Sequence, residues 1–120
     1  MFELQIESRF SAAHALRIGG AREPLHGHDF HVTLTVGGET LDADGLLCDF
    51  HTIEEALQLI TGRFHNRSLN ETPPFDRVNP TAELVAKHIA DELGAMLPAE
   101  VKIISVRLTE APGCAAVYRP

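Results

Sequence analysis

Leu25-His26-Gly27-His28-Asp29-Phe30-His31-Val32-Thr33-Leu34-Thr35-Val36 is the stretch from which both fold and site can be read. After His28, the apolar residues Phe30, Val32, Leu34 and Val36 alternate with His31, Thr33 and Thr35. That is the period-two pattern of a strand with one apolar face, and Gly37-Gly38 ends it. Upstream, Phe2, Leu4, Ile6 and Phe10 alternate with polar residues and predict a strand over residues 2–10. Side chains two apart on a strand share a face, so His26 and His28 aim at one point. His14 continues the even-numbered face of the first strand if no bulge intervenes. Gly27, lacking a side chain, is expected to let the backbone approach closely. Neutral imidazole is the commonest zinc ligand, and a catalytic zinc needs three protein ligands and one open position. His14, His26 and His28 are the candidate metal ligands; His31 has the opposite parity. A lone His-x-His is usually without meaning. It also opens the cupin metal motif, but Asp29 is too close to supply that motif's later carboxylate.

Composition narrows the classes. The chain has 120 residues, 44% apolar and 22% charged, the profile of one globular domain over residues 1–120. Its formal net charge of -7 argues against nucleic acid as a partner, because phosphate recognition needs clustered Lys and Arg. No apolar run approaches membrane-spanning length, so no membrane is expected as a partner. Met1 leads straight into a strand pattern, which leaves no room for a signal peptide. Cys48 and Cys114 do not resemble a disulfide framework and read as small core residues. A reduced, cytoplasmic setting is expected.

Beyond the second strand, residues 17–24 predict a loop, Asp44-Gly45 a turn, and residues 46–50 a short strand running into a helix. Thr52 and Glu55 have capping-box spacing. Ile53, Leu57, Ile60 and Phe64 then recur at helical intervals, and Gly62 helps to stop the helix. Asn79-Pro80-Thr81-Ala82-Glu83 starts a second helix with Val85, Ile89, Leu93 and Met96 as its buried stripe. Ile104, Val106 and Leu108 alternate up to Glu110, Ala111-Pro112-Gly113 breaks the run, and residues 115–118 close the chain. The order β-β-β-α-α-β-β predicts an α+β domain with both helices on one face of an antiparallel sheet.

These residues resemble the 6-pyruvoyltetrahydropterin synthase and 6-carboxytetrahydropterin synthase family over nearly the whole chain. Phe10-Ser11-Ala12-Ala13-His14, Leu25-His26-Gly27-His28, Asp49-Phe50, Leu69-Asn70, Asn79-Pro80-Thr81-Ala82-Glu83, and Glu110 eight residues before Tyr118-Arg119 carry the likeness. The resemblance implies the tunnelling fold, a four-stranded antiparallel sheet with two helices on one side. It further implies a homo-oligomeric barrel, typically a hexamer of two stacked trimers with active sites at subunit interfaces. Zn2+ held by His14, His26 and His28 is implied as cofactor, and a small-molecule pterin as substrate. Glu110 matches the glutamate that takes the pterin's amino edge, a bidentate contact between a carboxylate and two ring hydrogens. Against that stands an ordinary solvated carboxylate at a strand end. Thr81 matches a position near the substrate and is also a natural helix cap.

The chain departs from the familiar pattern in two places. Arg22 stands where those enzymes carry a cysteine, and arginine stays protonated and is no base. His65-Asn66 stands where they carry Asp-His, so His65 reads either as an acid–base group or as a loop histidine. Arg22-Glu23-Pro24-Leu25-His26-Gly27-His28 instead fits E-x-x-H-G-H. That resembles a branch in which glutamate is the base and 6-hydroxymethyl-7,8-dihydropterin is made. Glu23 and His65 are the candidate catalytic residues. Arg17, Arg22 and Arg67 are candidates for a substrate triphosphate. The function expected is a zinc-dependent lyase acting on 7,8-dihydroneopterin triphosphate. The alternatives are a 6-carboxytetrahydropterin synthase of the queuosine pathway, a pterin- and zinc-binding homologue without turnover, and a plain structural oligomer.

Overall fold

The computed structural model describes Met1–Pro120. Strand β1 covers Phe2–His14, β2 Arg17–Ile18, β3 Ala21–Arg22 and β4 His26–Gly38; helix α1 covers Phe50–Thr61. After it come β5 at Arg67–Ser68, a 3-10 turn at Leu69–Glu71, α2 at Ala82–Gly94, β6 at Lys102–Ala111 and β7 at Cys114–Tyr118. The main sheet has the order β5-β1-β4-β6-β7. Four strands are antiparallel neighbours, and β5 adds only a two-residue parallel pairing against Ala12 and Ala13.

β1 and β4 pair without a bulge from Phe2↔Gly38 to His14↔His26. The first strand therefore continues four residues past Phe10. Its even face holds Ile6, Phe10, Ala12 and His14, all buried, and that of β4 holds Phe30, Val32, Leu34 and Val36. Phe10 and Phe30 are cross-strand partners with ring centroids 5.0 Å apart, the close pairing that fixes register in an antiparallel ladder. Phe64, just past α1, packs on Phe10 at 5.9 Å. Ile53, Leu57 and Ile60 of α1 and Val85, Ile89 and Leu93 of α2 complete one cluster of 23 buried residues. Both helices lie on this even face; the odd face carries exposed Glu3, Gln5, Glu7 and Arg9. No helix is long and apolar enough to cross a membrane.

Several local expectations are corrected. Residues 46–49 form no strand. Asp49 caps α1 by accepting from the His51 N–H at 2.9 Å, so Thr52 lies inside the first turn and the Thr52/Glu55 capping box is not used. A carboxylate one residue ahead of the helix satisfies its free N–H groups before Thr52 is reached. The loop at residues 17–24 contains the small β2–β3 hairpin, turned by Gly19 (φ 59) and Gly20 (φ 84). Two successive positive φ values are what a tight hairpin requires and what glycine tolerates. Met96 falls beyond α2 and is 37% exposed. Cys48 packs against the core, but Cys114 is exposed on the edge strand.

A candidate metal centre at the end of the sheet

Thirteen-residue strands span about 43 Å at the usual rise, whereas the two helices are only about 20 Å long. The helices cover only part of the sheet's length, and the histidines lie at the end where β1 finishes and β4 begins, beside the start of α2. Because the β1–β4 register is unbroken, His14 stands directly across from His26, and His28 sits one same-face step along β4. The three rings lie 4.8–5.2 Å apart, centroid to centroid, each meeting the others edge to face. Phe30 forms their floor, 5.4 Å from His14 and 5.6 Å from His28. One ligand atom from each of His14, His26, His28 and Glu110 lies within 4.8 Å of the others.

Two of the rings are oriented by carbonyls. His14 Nδ1 lies 2.9 Å from Pro80 O, and His26 Nδ1 lies 2.9 Å from Pro24 O. A carbonyl only accepts, so each Nδ1 carries its hydrogen and each Nε2 is left to bind elsewhere; metal-ligating histidines are held in this way. His28 Nε2 is buried and has no hydrogen-bond partner, although Glu110 Oε1 is 3.0 Å away; the orientation is wrong for a hydrogen bond. Burial pushes the His28 imidazole below its usual pKa, with help from His14 and His26 and against the pull of Glu110. A buried, neutral, unpartnered nitrogen aimed at two other imidazoles fits a metal ligand. On this observation the residues present suit a bound metal ion.

The remaining candidates divide into those the fold gathers here and those it does not. Glu110, at the end of β6, shares the parity of Val106 and Leu108, and its Oε1 lies 2.9 Å from His14 Nε2. Glu23 lies beside the cluster, with Oε1 3.7 Å from His26 Nε2. The same oxygen accepts from the Leu16 N–H at 3.0 Å, and the Glu23 N–H donates to Leu16 O at 2.9 Å. Thr81 is the N-cap of α2, accepting from the Leu84 N–H at 3.1 Å, one residue from the carbonyl that holds His14. His65 lies elsewhere. Its Nδ1 accepts from the Ser11 N–H at 3.1 Å, and it lines clefts on the polar odd face with Arg9, Ser11 and Asp29. Gly27 also differs from expectation. A Cβ there would meet only Ala12 O at 3.8 Å, an ordinary contact; the backbones do not require glycine. Its missing side chain instead leaves room in two clefts that it lines beside His28.

Three further residues have roles that spacing alone did not suggest. Asn70 accepts from the Ala15 N–H at 2.8 Å and donates to Ala15 O at 2.9 Å. Asn79 does the same for Arg17, with both contacts at 2.9 Å. With Glu23 on Leu16, three side chains hold three successive backbone units just past His14. Asparagine suits this because its amide carries a donor and an acceptor side by side. The recurrence of Leu69-Asn70 and Asn79-Pro80 among the motifs was the available signal. Asn66 has φ 58 and lines a cleft of about 480 Å³ with Ser11, Gly27, His28, Asp29 and Arg67. A second cleft of about 670 Å³ places His28, Thr109, Glu110 and Pro112 on its wall, a volume that suits a small organic ligand.

The profile of the family described as 6-pyruvoyl tetrahydropterin synthase matches residues 3–120. The chain is 35% identical to a 6-carboxy-5,6,7,8-tetrahydropterin synthase of Bacillus subtilis, covering 99% of this chain and 86% of the relative. It is 33% identical to a dihydroneopterin monophosphate aldolase of Pyrococcus furiosus, covering 84% and 82%. Among solved structures, a 6-pyruvoyl tetrahydropterin synthase of Caenorhabditis elegans superposes with a TM-score of 0.87 at 20% identity, covering 99% and 95%. At that identity the superposition shows the fold, and the fold is the tunnelling fold.

Proposed function

The chain belongs to the 6-pyruvoyl tetrahydropterin synthase family, and from that premise we propose that it is a zinc-dependent lyase that cleaves the side chain of a phosphorylated 7,8-dihydroneopterin. The observation that carries this reading is the convergence of His14, His26, His28 and Glu110 at one end of the sheet, with His28 and Glu110 on the wall of a ligand-sized cleft. His14, His26 and His28 would hold the zinc. Bound there, it supplies Lewis acidity to the oxygens of the substrate's side chain.

The chain's own residues do the rest. Glu110 takes the pterin's amino group and neighbouring ring N–H with its two carboxylate oxygens, which fixes the ring and the bond to be broken. Glu23 accepts the proton from the side chain. It is held for this by the two contacts to Leu16, and Pro24 stiffens the link to His26. Thr81 borders the same end of the sheet. Arg67, on the cleft shared with His28 and Asn66, would meet a substrate phosphate; Arg17 and Arg22 lie out on the β2–β3 hairpin. His65 serves as acid or base only in an assembly that brings a second chain's site against the polar face. Such an assembly is favoured by the edges: residues 2–11 of β1 pair on one side only, and β7 is open. Long unpaired edges are templates for joining further strands, and a homohexameric barrel would close them.

With Glu23 as base the product is 6-hydroxymethyl-7,8-dihydropterin, and the Pyrococcus furiosus relative favours a cleavage of that kind. The Bacillus subtilis relative favours 6-carboxytetrahydropterin instead. Incubation of zinc-loaded protein with 7,8-dihydroneopterin triphosphate and, separately, the monophosphate, followed by mass spectrometry, decides between them. Formation of the 6-hydroxymethyl product is expected. A 6-carboxy or 6-pyruvoyl product refutes the choice of branch, and bound pterin without turnover identifies a binding homologue.

A further inference from the structure

We propose that Glu110 is the fourth metal ligand of the substrate-free protein, and that it leaves the metal for the amino edge of an arriving pterin. The inference rests on the pterin-lyase reading for its second half and on geometry for its first. Glu110 Oε1 lies 2.9 Å from His14 Nε2 and 3.0 Å from His28 Nε2. His14 Nδ1 already carries the hydrogen given to Pro80 O. In the neutral ring, Nε2 therefore presents a lone pair, and it faces a carboxylate oxygen that also presents lone pairs. Two acceptors at that distance repel unless a proton or a metal cation lies between them, and the His14 contact has the geometry for either. At His28 Nε2, 3.0 Å from the same oxygen, the nitrogen is buried and the geometry does not suit a shared proton, which favours a metal ion. One divalent ion satisfies both nitrogens, His26 Nε2 and the carboxylate together.

Four protein ligands make a closed site, whereas a catalytic zinc keeps a position open. One ligand must yield, and the fold shows which. His14 and His26 are held in place by backbone carbonyls, and His28 is fixed by its ladder pairing with Ala12. Glu110 is held by neither device. It lies one residue past the last β4–β6 pair, His31↔Thr109, and the β6–β7 register shifts between Thr109 and Ala111. Irregular strand ends re-aim side chains readily. Glu110 also borders the cleft that holds room for a ring. A carboxylate that serves either the metal or the pterin couples substrate binding to the opening of the metal.

The test uses the full chain loaded with Co(II) in place of zinc, whose visible spectrum reports ligand number and type. Glu110→Gln is expected to change the spectrum without any pterin and to weaken zinc about ten-fold or more in competition with a chelator, as loss of a supporting ligand does. Adding 6-hydroxymethylpterin, an oxidised and unreactive ring, is expected to shift the spectrum of the unmodified protein toward that of the variant. An unchanged spectrum and unchanged zinc affinity in Glu110→Gln overturn the ligand assignment. A spectrum that pterin binding leaves unmoved in the unmodified protein overturns the release. His28→Ala is measured alongside. If it too keeps its metal, the three-histidine reading fails; if it alone loses metal, only the role of Glu110 fails. Should Glu110→Gln not fold, Glu110→Asp withdraws the carboxylate by one methylene, and an unaltered Co(II) spectrum there overturns the assignment equally.

Discussion

His14 and His26 are direct partners across the β1–β4 ladder, with ring centroids 4.8 Å apart. Two residues twelve apart in the chain are thus brought together by the register of the ladder.

His14→Ala, His26→Ala and His28→Ala should each strip most of the metal from a protein that otherwise holds about one zinc per chain, the stoichiometry of a single three-histidine site. Elemental analysis after dialysis measures this, with circular dichroism to confirm the fold. Full occupancy in all three variants would show that the ion sits elsewhere.

Glu23→Gln separates two functions of one side chain. Glutamine keeps an oxygen to accept from the Leu16 N–H but is no base. Turnover should fall by about 100-fold or more, the usual worth of a positioned acid or base, while the melting temperature and zinc content barely move. Glu23→Ala should lose activity to the same degree and stability as well. Full activity in the glutamine variant would remove Glu23 from the chemistry.

Asn70→Ala leaves the N–H and C=O of Ala15 without their partners. The expected cost is about 1–3 kcal/mol, read as a lower denaturation midpoint. Asn70→Asp should be no better than alanine, because it restores the acceptor but sets an oxygen against Ala15 O. A stable aspartate variant would show that only the N–H contact matters.

His88 sits between Phe64 and Phe75, 5.8 and 5.4 Å from their rings. Burial lowers its pKa below 6.5, with Arg63 assisting and Glu92 and Asp91 opposing. Below pH 6.5 the unfolded chain therefore binds this proton before the folded one does. Stability attributable to His88 is intact above that pH and is lost as pH falls through the lowered folded value. His88→Leu should lose less stability than the unmodified protein between pH 7 and pH 5. Parallel curves for the two proteins would show that His88 is not responsible.

Alternation in the sequence determined the two long strands, the apolar face and the shared side of His26 and His28, because strand parity is a local property that any continuous ladder preserves. Helical spacing likewise determined the core stripes of α1 and α2. Expectations failed where two local options competed: Asp49 and Thr52 both offered a cap, and residues 46–49 looked apolar enough to pair but lie off the sheet. The partners of the candidate site were decided only by the tertiary structure. Whether Glu110 meets His14 depends on the β4–β6 register and on the irregularity at Thr109, and whether Pro80 O meets His14 depends on where α2 begins against the sheet. The separation of His65 from the histidine cluster is of the same kind. Asn66 and Ser11 put its ring against the polar face, and no spacing in the chain says which face of a sheet a returning loop will cross.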